Sequence, residues 1–106
     1  PMEAINNPCE SLCKIKFDKI KPFYNICKVT GQKEECNIEI EYQPTGQLLE
    51  IGSYREYFKQ EFNEYIETLT ENVFNHINNL IHPNRLKVTV FLTEETLTPW
   101  SVTFEK

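Results

Sequence analysis

The sequence lacks the features that would assign it to a membrane or secreted protein. No apolar run approaches the roughly 18 consecutive residues of a membrane span. The first residues have neither the basic stretch nor the apolar stretch of a signal peptide, and Pro1 ahead of Met2 is typical of a residue left by tag cleavage. Internal repeats and low-complexity tracts are also missing. We therefore expect a cytoplasmic protein with no partner in the membrane.

Basic side chains are scarce. The chain of 106 residues has 11 basic and 16 acidic side chains, for a net charge of -5. The one basic concentration is residues 14–21, in which four of eight residues are lysine; such a run is more often a solvated strand and turn than a phosphate site. Because nucleic-acid binding needs clustered cations, a small or neutral substrate fits this balance better than a long polyanion.

The four cysteines do not form a recognisable framework. Without a secretion signal they are expected to be thiols rather than disulfides. Cys9 and Cys13 lack the two-residue spacing of common zinc motifs, and His76 and His82 are six residues apart. We therefore predict no metal site.

The length is enough for one domain. Residues 1–10 are polar and contain Asn6-Asn7-Pro8, which predicts a flexible N-terminal arm ahead of a single domain over residues 11–106.

Alternation of apolar and polar residues predicts four strands. They cover residues 12–17, 36–42, 85–92 and 100–104. In the second strand Ile38, Ile40 and Tyr42 share one face.

Between the second and third strands the pattern is helical. Ser53 is placed to begin a first helix, with Glu56 completing a capping box. Apolar residues at three- and four-residue steps predict a second helix over residues 64–81, which Pro83 ends.

The order β-β-α-α-β-β predicts an α+β fold, with both helices on one face of a four-stranded antiparallel sheet. Such a sheet has unpaired edges, and edge strands invite pairing with another chain. We therefore expect oligomerisation through the sheet.

One segment carries a resemblance to a known family. Residues 27–44 match, without gaps, the Cys-Pro-x-Thr-Gly-Gln-Pro-Asp motif and following Tyr-x-Pro strand of QueF-type 7-cyano-7-deazaguanine reductases. The matching positions are Cys27, Thr30, Gly31, Gln32, Ile38, Ile40, Tyr42 and Pro44. The resemblance implies the tunnelling fold, an oligomeric barrel whose unit has this same ββααββ order and whose sites lie at subunit interfaces.

The resemblance also implies catalytic roles for two residues. Cys27 falls on the nucleophile that attacks a nitrile carbon to form a covalent thioimide, and Glu34 falls on the acid that protonates the nitrogen. The family has Asp where this chain has Glu34, and Pro where it has Lys28, a cation that can favour the thiolate. The alternative for Cys27 is a small buried apolar residue.

The family anchors its heterocycle with an acidic residue near the start of the second helix. Counting back from Pro83, the matching position is Glu67, whose carboxylate can accept two hydrogen bonds from a guanine-like edge. The family has His just before this residue and this chain has Ile66, so a solvated helix acid is the alternative.

The family's reductases also carry a Glu-Ser-Lys-Ser-Leu-Lys-x-Tyr motif that suits NADPH. Here Glu50, Ser53 and Arg55 retain part of it, but Gly52 replaces a lysine. Glu94-Glu95 stands where many reductases have a basic pair, and acids there weaken phosphate binding.

Two reactions therefore remain open. The short chain and eroded motif resemble the QueF-like amidinotransferases, which form the amidine of archaeosine without NADPH, usually on a base within tRNA. NADPH-dependent reduction is the alternative reaction. A non-catalytic module that binds a deazapurine or pterin, or a scaffold without a ligand, also fits the altered positions. The sequence leaves open whether a deazaguanine substrate is a free base or lies in tRNA or DNA.

Overall fold

The computed structural model describes residues 1–92 and 99–106. The strands within these residues are β1 (Ala4–Asn6), β2 (Ile15–Phe17), β3 (Phe23–Ile26), β4 (Lys33–Gln43), β5 (Gln47–Leu49), β6 (Arg85–Leu92) and β7 (Trp100–Glu105). The helices are α1 (Ile51–Tyr57) and α2 (Ile66–Ile81). The predicted α+β class is confirmed.

A five-stranded antiparallel sheet forms the centre of the molecule. Its order is β2-β4-β6-β7, and β3 pairs with β4 beyond the end of β2. The four predicted strands all lie in this sheet, although the first is shorter than predicted, and β3 is additional. Its four residues, with Asn25 at an inward-facing position, are too few and too mixed to show alternation.

One face of the sheet carries the core. The register pairs Ile38 with Val90 and Ile40 with Val88, and all four side chains are buried. Both helices cover this face: α2 supplies buried Val73 and Ile77, and α1 is held through ring contacts such as Phe17–Tyr54 and Phe23–Phe58. The predicted two helices on one face are confirmed.

The cap of α1 differs from the prediction. The helix begins after Glu50, whose carboxylate accepts hydrogen bonds from the Gly52 N–H at 2.6 Å and the Ser53 N–H at 2.8 Å. Ser53 instead lies inside the first turn and donates its hydroxyl to the Glu50 carbonyl at 2.8 Å. The earlier acid therefore caps the helix, because its carboxylate reaches both exposed amides at once.

Helix α2 starts at Ile66, two residues after the predicted start, and ends at Ile81, with His82 as its C-cap. His82 adopts a left-handed conformation with φ 46°, and its N–H donates to the Asn78 carbonyl. This conformation turns the chain out of the helix immediately before Pro83, as the sequence predicted.

The N-terminal segment is not a loose arm. Ala4–Asn6 forms β1, which pairs antiparallel with β5 in a separate two-stranded sheet. Met2 is buried in the core at 3% exposure, and the Glu3 N–H donates to the Ser53 hydroxyl at 2.8 Å. The prediction of a flexible arm is wrong for this part of the chain. Its polar composition gave no sign of the contacts with β5, the core and Ser53, which form only in the folded protein.

A break in the sheet separates β2 from β3. The side chain of Asn37 holds this break by accepting from the Ile20 N–H at 3.0 Å and donating to the Ile20 carbonyl at 2.9 Å. Beyond it, β3 and β4 converge on the turn that contains Cys27. No helix in the described part of the chain is long and apolar enough to cross a membrane.

Candidate functional site

Cys27 lies in the turn that joins β3 to β4. Its N–H donates to the Gln32 carbonyl at 2.9 Å, and its own carbonyl accepts from the Gly31 N–H at 2.9 Å. Gly31 has φ +74°, a conformation that side-chain-bearing residues rarely adopt, which explains the glycine in Thr30-Gly31-Gln32. The turn therefore presents Cys27 at the end of the hairpin, where its side chain is half-buried.

The turn also favours the thiolate of Cys27. The pKa of Cys27 is lowered mainly by a hydrogen bond from the Thr30 side chain, and further by the backbone N–H groups of Thr30 and Val29. Burial and the Glu34 charge act in the opposite direction but do not prevail. The lowering thus comes from hydrogen-bond donors of the turn rather than from Lys28, and it is typical of a reactive cysteine.

Glu34 lies across the hairpin from Asn25, in register on β4. The Asn25 amide nitrogen donates to a Glu34 carboxylate oxygen at 3.2 Å. The Glu34 carboxylate is also close enough to the Cys27 thiol for its charge to oppose ionisation of the thiol. The structure therefore brings together the predicted nucleophile and the predicted acid.

Glu67 lies in the first turn of α2 and is exposed. The same Asn25 side chain accepts from the Glu64 N–H at 2.9 Å and donates to the Glu64 carbonyl at 2.8 Å. This ties the segment leading into α2 to the strand that precedes Cys27. Glu67 is thus three residues along the chain from a fixed point of the site, with an exposed side chain.

Two of the predicted cofactor-binding residues form side-chain hydrogen bonds with backbone groups. Glu50 and Ser53 form the cap of α1 described above, and Ser53 also accepts from Glu3. A Cβ at Gly52 would lie 3.0 Å from a Glu50 carboxylate oxygen. The small residue at position 52 therefore lets the carboxylate close over the helix start.

Arg55 instead lines an open groove of about 820 Å³ between α1 and the β2–β3 break. Its rim carries six cations: Lys16, Lys19, Lys21, Lys33, Lys59 and Arg55. Three are paired with carboxylates: Lys16 with Asp18, Lys33 with Glu61, and Lys59 with Glu56. Aromatic residues including Phe17 and Tyr24 line the groove, but Cys27 does not.

Three of the four lysines in the basic run line this groove, and all four are exposed, as expected for a solvated strand and turn. Glu94-Glu95, the predicted obstacle to phosphate binding, lies outside the described residues.

The other cysteines differ from Cys27 in their surroundings. Cys36 is fully buried in β4, Cys9 is exposed and Cys13 half-buried, and no disulfide joins the four. Within residues 1–92 and 99–106, no three His, Cys, Asp or Glu side chains are grouped as a metal site would require.

Asn25 is the site residue that sequence reasoning missed. A polar residue two positions before a candidate nucleophile was the available signal. Its partner at residue 64 is remote in sequence, so the contact itself had no sequence signature.

Comparison with solved structures finds the same fold in another protein. The chain is similar to the structure described as "Crystal structure of the archaeosine synthase QueF-Like in the apo form", with a TM-score of 0.74 at 20% identity. The match covers 92% of this chain and 94% of that chain. Neither a family model nor a curated protein matches the sequence. The structural match confirms the QueF-like fold that the sequence resemblance implied.

Proposed function

We propose that this protein is an enzyme of 7-deazaguanine metabolism that converts the nitrile of 7-cyano-7-deazaguanine into an amidine. The observation that carries the proposal is the Cys27 turn, where hydrogen-bond donors lower the thiol pKa beside the Glu34 carboxyl group. The fold shared with a QueF-like archaeosine synthase supports the same substrate class.

The first step forms a covalent adduct. The Cys27 thiolate bonds to the nitrile carbon, one carbon–nitrogen π bond becomes a lone pair on nitrogen, and Glu34 delivers the proton that nitrogen takes up. The product is a thioimide whose mass equals the sum of enzyme and nitrile.

The second step releases the amidine. Ammonia, or an amine that supplies it, bonds to the thioimide carbon, and the carbon–sulfur bond breaks with its electron pair returning to sulfur. The Glu34 carboxylate recovers the proton that the incoming nitrogen loses. Nitrile and ammonia are thereby joined without an oxidant or reductant, so this branch needs no cofactor.

Intact-mass spectrometry tests the thioimide. Mixed with 7-cyano-7-deazaguanine, the wild-type chain should gain the mass of the nitrile, and Cys27→Ala should gain nothing. Cys13→Ala is the matched control, because Cys13 is also half-buried but lies outside the site. An adduct that survives in Cys27→Ala would contradict the assignment of the nucleophile.

Glu67 is proposed to anchor the heterocycle. Its exposed carboxylate in the first turn of α2 can accept two hydrogen bonds from the N1–H and 2-amino groups of the base. Glu67→Gln should raise the nitrile concentration for half-maximal adduct formation about ten- to a hundredfold, since a charge-assisted contact contributes about 1.5–3 kcal/mol. The matched control is Glu71→Gln, an exposed acid one turn further along α2; equal effects of the two variants would contradict the anchor.

Reduction remains the second candidate, and the basic groove is the observation that favours it. Arg55 and Lys21 have no carboxylate partner within ion-pair distance among the described residues, and both line the groove. Cofactor phosphates would pair with such cations.

One assay distinguishes amidine formation from NADPH-dependent reduction. With nitrile and NADPH, we expect little loss of nicotinamide absorbance, whereas nitrile and ammonium should yield an amidine detectable by mass. Consumption of two NADPH per nitrile, with an aminomethyl product, would establish reduction instead. Binding of the nitrile without an adduct in the wild type would indicate the non-catalytic module.

A further inference from the structure

Asn25 is a fully buried polar residue at the centre of the candidate site. It is 0% exposed and lies within β3. Its nitrogen donates to Glu34 at 3.2 Å and to the Glu64 carbonyl at 2.8 Å, while its oxygen accepts from the Glu64 N–H at 2.9 Å. The Glu64 backbone therefore determines the orientation of the amide, because its N–H must meet the oxygen and its carbonyl the nitrogen.

Backbone contacts beside Asn25 reinforce the same connection. The Ile26 N–H donates to the Phe62 carbonyl at 2.7 Å, and the Phe62 N–H donates to the Tyr24 carbonyl at 3.0 Å. The segment at residues 62–64 thus runs parallel along the outer edge of β3. It enters α2 two residues later, so the hairpin of Cys27 and the start of α2 form one unit.

We propose that Asn25 is a positioning residue of the candidate site, whose single amide holds the Glu34 carboxylate and the entry of α2 in a fixed relation to Cys27. The inference rests on the proposed function for the reaction that it serves. An amide suits this role because it offers a donor to a carboxylate and an acceptor to a backbone N–H in one plane. Asp lacks the donor, and Ser is too short to reach both partners.

The carboxylate needs this support because proton delivery depends on geometry. A misplacement of about 1 Å in a reacting group can slow a reaction about a hundredfold. Glu34 is longer than the Asp of the resembling motif and has more rotatable bonds. A fixed donor beside its carboxylate restricts that freedom.

The first test is Asn25→Asp, which keeps the acceptor for the Glu64 N–H and removes both donations. At the pH where wild-type adduct formation is fastest and at saturating 7-cyano-7-deazaguanine, adduct formation should slow at least about tenfold. Thermal melting of the variant establishes that it is folded. A rate within about twofold of wild type would overturn the proposal.

The matched control is Asn37→Asp. Asn37 is also a buried strand asparagine, 7% exposed, and it likewise exchanges two hydrogen bonds with a loop backbone, at Ile20. A merely structural effect of losing such an amide should appear in both variants. We expect Asn37→Asp to lower the melting temperature without slowing adduct formation; equal slowing in both variants would overturn a positioning role.

A second measurement does not depend on the nitrile. The pH midpoint of Cys27 alkylation by iodoacetamide should be lower in Glu34→Gln than in wild type, because the Glu34 charge raises the pKa of the thiol. In Asn25→Ala, Glu34 is released, and the midpoint should move toward that of Glu34→Gln. An unchanged midpoint in Asn25→Ala would overturn the positioning role, whereas failure of the proposed function would appear as a wild type that alkylates normally and forms no nitrile adduct.

Discussion

At the scale of single residues, hydrogen bonds to side chains affect both the reactivity of Cys27 and the stability of the core. Thr30 lowers the pKa of Cys27 by donating its hydroxyl to the sulfur. Tyr42 and Tyr54 are both buried core tyrosines; within the described residues, the Tyr42 hydroxyl has a hydrogen-bond partner and the Tyr54 hydroxyl has none. Substitutions at these residues test both points.

Thr30→Val should shift the pH dependence of Cys27 alkylation to higher pH. A lowered pKa means that thiolate is present at lower pH than usual, and removing the largest cause of the lowering moves the midpoint back up. Thr30→Ser keeps the hydroxyl and should keep the midpoint. Iodoacetamide rates measured against pH give the curves, and a Val variant that matches wild type would contradict this account of the turn.

The two tyrosines should respond oppositely to loss of the hydroxyl. The Tyr42 hydroxyl accepts from the buried Leu49 N–H at 3.0 Å, so Tyr42→Phe leaves that N–H unpaired and should cost about 1–3 kcal/mol. The Tyr54 hydroxyl is buried without a partner among the described residues, and burial raises its pKa, so it stays neutral. Tyr54→Phe should therefore leave the free energy of unfolding unchanged or raise it. Chemical denaturation measures the free energy of unfolding of both variants. Comparable losses in Tyr42→Phe and Tyr54→Phe would contradict the different roles of the two hydroxyl groups.

At the scale of secondary-structure elements, three residues of the eroded cofactor motif take part in the cap of α1. Glu50, Gly52 and Ser53 form one capping arrangement, in which the carboxylate meets two backbone N–H groups and the glycine leaves it room. Local capping thus accounts for these residues without a ligand. Arg55, one turn further on, faces the groove instead.

Glu50→Ala should consequently destabilise the fold. Loss of a side-chain cap costs about 0.5–2 kcal/mol. Glu56→Ala is the control within the same helix, because the Glu56 side chain forms an exposed ion pair with Lys59, and such pairs contribute at most about 1 kcal/mol and often less. In urea denaturation, the free energy of unfolding should be clearly lower for Glu50→Ala than for Glu56→Ala. The reverse order would mean that the Glu50 carboxylate is not needed for the cap and is available to a ligand.

At the scale of the whole molecule, the sheet leaves a strand edge open. In the described part of the chain β7 pairs with β6 alone. Leu86 and Lys106 exchange both backbone hydrogen bonds, and alternation along the antiparallel pair then directs the N–H groups of Ser101, Thr103 and Glu105 away from β6. These outward groups are available for pairing with a second copy.

We therefore expect a ring-like homo-oligomer closed through sheet edges. Ser101→Pro removes one outward N–H without touching the bonds to β6, and should weaken the assembly, whereas Ser101→Ala should preserve it. Sedimentation velocity at micromolar concentration distinguishes the two. A monomeric wild type would contradict the predicted barrel and any site shared between subunits.

The sequence by itself determined the elements with strong periodicity, and it identified Cys27 and Glu34 as candidate catalytic residues. Strands β4 and β6 alternate over their length, and α2 repeats its apolar residues at helical steps, so local pattern sufficed to predict them. The glycine at position 31 suits the left-handed conformation that the Cys27 turn adopts there.

Tertiary structure decided what depends on partners distant in the chain. β1 and β3 are too short to be predicted from their own residues and exist because β5 and β4 provide their hydrogen bonds. Asn25 acquires its place through Glu64, 39 residues away. Contacts of this kind leave no local periodicity, since the physical requirement, a buried amide with all its partners, is met only when the chain has folded.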